Sequence, residues 1–173
     1  MTIAKPQPGD YAPPFQTYVD DAAARGDDAL AILEGQQAVL DHMASWPEAK
    51  AGHRYADGKW TVREVVGHMA DAERIFAYRL LRIARGDATP LPGFDENAYQ
   101  LVAGFENRTL ADVVAELRAI RQSTLPLIRS LDAAALEREG TASNKRATVR
   151  GMAWVTAGHF QHHADILRDR YGM

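Results

Sequence analysis

The sequence predicts an all-α protein: a four-helix bundle with a long crossover between its second and third helices. Three observations carry that reading. Apolar residues recur at helical spacing in four separate stretches. Threonine start signals and glycine or proline stops bound most of them. No stretch alternates apolar and polar residues with period two over a useful length, so no sheet is expected.

Residues 1–14 carry Pro6, Pro8, Pro13 and Pro14 and read as an extended N-terminal arm. The first helix is expected over 27–45, with Leu30, Leu33, Gln37 and Leu40 on one side, and Trp46-Pro47 ends it. The second begins at Thr61, where Glu64 three residues on completes a Thr-x-x-Glu capping box. Val62, Val65, Met69, Ala72, Phe76, Leu80 and Ile83 then repeat up to Gly86, which predicts a helix of about 25 residues, roughly 37 Å long. The connector DATPLPGFDENAYQLVAGFEN follows, with a short helix expected around 96–102. Its length allows it to run back along a helix and leave its two neighbours parallel. The third helix starts at Thr109 and carries Leu110, Val113, Val114, Leu117 and Ile120; Pro126 is expected to kink or interrupt it before Leu131. The fourth is capped by Thr148 and ends near Tyr171-Gly172.

The chain has 173 residues, which suits one domain over 1–173, and a domain of that size buries roughly 70% of its unfolded surface. Hydrophobic residues at 46% and charged residues at 25% are ordinary folded values. A net charge of −3 offers no basic excess for nucleic acid. No window approaches the roughly 20 apolar residues that cross a bilayer. The first residues hold no apolar run of the kind a signal peptide needs, so a cytoplasmic location is expected. There is no cysteine. Any metal must therefore be held by nitrogen and oxygen ligands, and any reacting thiol must come from a small molecule.

Histidine placement is the feature that reaches furthest. His159 and His163 are four residues apart, one turn apart on the same face of the fourth helix. That face is otherwise apolar (Met152, Val155, Ile166, Leu167), and two imidazoles there are costly unless something satisfies them. If the second and fourth helices are antiparallel, His68 reaches nearly the same height. A three-histidine divalent metal site with open coordination positions is the expectation. His162 falls about 100° round the helix from His163, at the edge of the stripe. No zincin signature is present, because Phe160 follows His159 where Glu would stand, and no Glu-x-x-His pair suggests a di-iron site. Asp71 lies three residues after His68 and is a candidate partner for it, with Asp165 a poorer one. Arg79 projects about 20° from His68 and is a candidate for binding a substrate anion. Trp60, Trp154 and Phe94 are candidates to line a pocket mouth.

The runs KWTVREVVGHMADAERIFAYRLLRIARGD, TPLPGFDENAY and TVRGMAWVTAGHFQHHADILRDRY resemble the DinB-like (DinB/YfiT) superfamily. The resemblance implies an up-down-down-up four-helix bundle. It also implies a divalent ion, nickel or zinc, on His68, His159 and His163, and in many members a homodimer. Similar proteins include metal-dependent hydrolases and S-transferases that use bacillithiol, mycothiol or glutathione.

Two enzymatic readings follow, with a third that is not enzymatic. In the first, three neutral histidines leave the ion its full charge, so it activates a small-molecule thiol against an electrophile. In the second, the site activates water for hydrolysis, which needs a base; Asp71, His162 and Glu64 are the candidates. In the third, the bundle binds a metal or ligand without catalysis.

Overall fold

The computed structural model describes all 173 residues. Its N-terminal arm is not free, and it is extended only at its start: residues 8–11 form a turn and a short 3-10 helix, Pro13–Phe15, follows. Ile3 is fully buried, and its carbonyl accepts a hydrogen bond from Trp154 Nε1 at 2.9 Å. The first helical region is segmented rather than a single helix over 27–45: α1 (Gln16–Ala23), α2 (Ala29–Gly35) and α3 (Gln37–Met43). Helix α1 was not anticipated. Eight residues are too few to be stable alone, and α1 owes its order to packing against the last helix. The break between α2 and α3 follows Gly35, a poor helix former. Gln36 then anchors the junction: its Nε2 donates to the Ala157 carbonyl at 2.8 Å, and its Oε1 accepts from Arg121 Nη1 at 2.9 Å.

Helix α4 (Val62–Ala84) starts at the expected capping box, with both reciprocal bonds between Thr61 and Glu64 formed. The crossover holds α5 (Glu96–Gln100), whose cap Asp95 accepts from the backbone of Asn97 and Ala98. Helix α6 (Leu110–Arg129) is capped by Thr109; it runs through Pro126 and stops at Ser130. A short α7 (Ala133–Leu136) leads into a hairpin, β1 (Glu139–Ala142) and β2 (Lys145–Thr148), which corrects the expectation of no sheet. Its strands are four residues long, too short for alternation to show. Its turn places Ser143 and Asn144 at φ +53° and +59°, the conformation a two-residue hairpin loop requires, without the Asn-Gly pair that usually announces it. Helix α8 (Val149–Tyr171) starts at the Thr148 cap and stops at Gly172.

Side-chain bonds fix the helix directions. Glu34 pairs with Arg129 and Asp41 with Arg118, so α2–α3 runs antiparallel to α6. Arg63 reaches the Glu106 carbonyl and Glu73 pairs with Arg121, so α4 and α6 are parallel. His68 meets His163, and the Tyr171 hydroxyl donates to the Trp60 carbonyl, so α8 is antiparallel to α4. The result is the up-down-down-up bundle, closed by the crossover. One buried polar network ties its centre. Arg121 binds both Glu73 oxygens at 2.7 and 2.8 Å, donates to the Leu33 carbonyl, and lies over the Phe160 ring.

Candidate metal centre

The Thr61 cap fixes the start of α4 and so places His68 two turns into the bundle. Opposite it, α8 carries His159 and His163 one turn apart, and the antiparallel pairing brings all three rings together. One nitrogen from each lies within 4.8 Å of the others. Ring centres are 4.5 to 5.0 Å apart, and the Nε2 atoms of His68 and His159 stand 3.0 Å from each other. Two nitrogens bound to one ion at about 2.1 Å would sit roughly 3.0–3.4 Å apart, so this pair already has near-ligand spacing.

Aromatic rings pack round the cluster. Phe76 meets the edge of His159 at 5.2 Å, Trp60 lies 5.0 Å from His68, and Tyr18 of α1 lies 5.2 Å from His159. Tyr18 reaches that position because α8 has glycine at 158: a Cβ there would overlap the Tyr18 carbonyl. Gly67, beside His68, likewise leaves room for the Phe105 ring that anchors the end of the crossover.

Burial strips charge from the three histidines. It lowers His68 to about 4, opposed by the nearby Glu96 carboxylate. Burial, then the proximity of His68 and His162, lowers His163 to about 3. His159 falls well below its ordinary value for the same reasons, burial first. At neutral pH all three are uncharged and present lone pairs, the state that metal binding requires. The donor set therefore fits a divalent transition ion.

The other sequence candidates lie elsewhere. His162 Nδ1 contacts Asp21 Oδ2 at 3.0 Å, turned toward α1, although its ring remains beside His163. Asp71 faces Arg74 at 3.4 Å on the α6 side of α4, where burial raises its pKa. Asp165 is taken by Arg25, Arg168 and Gln161. Arg79 is buried, lies over Phe94, and donates through Nη2 to the Pro92 carbonyl at 2.7 Å and Ser143 Oγ at 2.9 Å. It staples the crossover to the hairpin turn three helical turns from His68. Trp154 is fully buried against the arm and lines no mouth.

Tyr18, Glu96 and Asn97 emerge only from the fold. Tyr18 sits in the unanticipated α1, and the other two lie in the crossover, where no periodicity marks them. Glu96 is exposed, yet its charge acts on both His68 and Tyr18. Asn97 lines a cleft of about 270 Å³ with His163, Trp60, Tyr55 and Tyr171.

A model of the DinB superfamily matches residues 31–167. The structure is similar to YfiT from Bacillus subtilis, described as a probable metal-dependent hydrolase with an unusual four-helix bundle topology. Identity is 21%, coverage is 97% of this chain and 93% of that one, and the TM-score is 0.68. It is also similar to a mycothiol-dependent maleylpyruvate isomerase at 16% identity and a TM-score of 0.66, covering 79% of this chain and 58% of the other. These likenesses concern the fold. No curated protein matches the sequence.

Proposed function

The chain belongs to the DinB superfamily, and from that premise we propose that it is a metal-dependent S-transferase using a low-molecular-weight thiol. The observation that carries the proposal is the meeting of three neutral imidazoles, His68, His159 and His163, beside an open cleft. Nickel or zinc suits the all-nitrogen donor set. When bound, such an ion keeps its full double charge and lowers the pKa of a thiol or water coordinating beside the histidines.

The chain's own residues supply the rest. Trp60, Phe76 and Tyr18 wall the imidazoles and limit water around them. The Tyr18 hydroxyl stays protonated, because burial and the Glu96 and Asp21 charges raise its pKa. The cleft at His163 admits the electrophile. The structural likeness to a mycothiol-dependent enzyme supports a thiol as co-substrate. A homodimer is part of the same proposal, and a monomeric mass by light scattering would remove it.

One observation favours a second reading, hydrolysis. Glu96 is an exposed carboxylate within electrostatic reach of His68, so the crossover adds a candidate base to His162, whose ring lies beside His163.

Turnover decides between them. With nickel- or zinc-loaded protein, consumption of an alkyl halide should require bacillithiol, mycothiol or glutathione. It should vanish after EDTA treatment and in His159→Ala. Ester hydrolysis without thiol, lost in Glu96→Gln, would replace the transferase reading with the hydrolytic one.

A further inference from the structure

The cleft beside His163 has walls chemically distinct from the rest of the surface. Tyr55 and Tyr171 meet edge to face at 4.9 Å between ring centres, and Trp60 extends that aromatic wall to His68. Val65 and Ile166 add apolar surface. The wall is held in place, because the Tyr171 hydroxyl donates to the Trp60 carbonyl at 2.7 Å and Arg54 donates to the Lys59 carbonyl. Among the lining side chains Lys59 alone carries a formal charge, and Asn97 adds an uncharged amide. The Lys59 ammonium lies 6.0 Å from the centre of the Tyr55 ring, and Arg170 lies over the same ring at 5.6 Å. The neighbouring Glu64 carboxylate is already engaged by Arg54 and the Thr61 backbone. The walls of the cleft are thus aromatic and its Lys59 and Arg170 side cationic, with the exposed Glu96 carboxylate next to Asn97 on the crossover side.

Resting on the metal-centre reading above, we infer that this cleft binds a small planar substrate, aromatic or conjugated, that carries one anionic group. The rings of Tyr55, Trp60 and Tyr171 take the planar part, for which flat π faces provide both area and geometry. Lys59 and Asn97 take the anionic end, and the remainder of the molecule reaches His163. The volume, about 270 Å³, lies just under the ~300 Å³ at which typical ligand pockets begin. It suits a single ring rather than a larger conjugate.

Benzoate, benzamide and cyclohexanecarboxylate serve as probes, titrated by calorimetry and tryptophan fluorescence into the metal-loaded chain and, in parallel, the EDTA-treated chain. Benzoate should bind both forms, more tightly than cyclohexanecarboxylate and less tightly as salt rises. Lys59→Met should weaken benzoate by about 1.5- to fivefold, the range for an exposed ion pair, and leave benzamide unchanged. Trp60→Phe should keep the calorimetric binding and abolish the fluorescence change. Any of three results overturns the inference: no benzoate binding to the EDTA-treated wild type, equal affinity in Lys59→Met, or a fluorescence change that survives Trp60→Phe. Because the EDTA-treated arm needs no metal, failure of the transferase reading leaves it intact. Its own failure leaves thiol-dependent turnover standing with a different substrate.

Discussion

Two clusters of single residues make opposite demands on the core. The three histidines are buried without charge, so acid should act through them. An unfolded imidazole titrates near 6.5, whereas His68 in the fold titrates at about 4. Below pH 6.5 the unfolded chain takes up protons that the native chain refuses. Stability of the EDTA-treated protein should therefore be flat above that pH. It should fall on acidification toward pH 4, by up to about 1.4 kcal/mol per pH unit for each such histidine. Urea unfolding at pH 7.5, 6 and 5 measures this, and a profile that rises on acidification would contradict it. The Glu73–Arg121 pair, by contrast, is buried with its charges intact and bidentate. Glu73→Ala strands a buried guanidinium and should cost about 3–5 kcal/mol. The double variant Glu73→Leu, Arg121→Met should recover much of that loss in the same unfolding experiment.

Elements position these residues, and their legibility differed with their length. The long helices α4, α6 and α8 could be read from Thr61, Thr109 and Thr148, because a cap is a local bond between a side chain and its own turn. Helix α1 could not, because its order depends on α8. Val19 and Ala22 are its only buried residues, and its close approach requires the bare backbone at Gly158. Gly158→Ala should push α1 off α8, remove Tyr18 from His159, and destabilise the protein by about 1–3 kcal/mol or more. Hydrogen exchange should rise over residues 16–23, whereas an unchanged exchange pattern would show that the contact is dispensable. The hairpin was equally illegible. Nothing in Ser143-Asn144 announces the positive φ that the two-residue turn requires, and the bonds of Leu91 to Thr141 and Ser143 come from the distant crossover.

At the scale of the molecule, the three-histidine cluster is a product of topology, and if it holds an ion as proposed, metal binding should stabilise the whole bundle. An ion that binds only the native state at a hundred times its Kd adds about 2.7 kcal/mol. The melting temperature should therefore rise with added Ni²⁺ or Zn²⁺ in the wild type but not in His68→Ala, His159→Ala or His163→Ala. An equal rise in those variants would place the ion elsewhere. No helix is long and apolar enough to cross a membrane, as the hydropathy implied. By itself the sequence determined the helical class, the caps of the long helices and the shared face of His159 and His163 on α8, because each is encoded within a few turns of chain. Only the tertiary structure decided that His68 completes the trio while His162 turns to Asp21. It alone removed Asp71 and Arg79 to Arg74 and to the Pro92–Ser143 staple, and it alone brought Tyr18, Glu96 and Asn97 to the site. Those outcomes depend on which helices pack together and on the path of the crossover. The contacts that set them are long in sequence and leave no periodic trace.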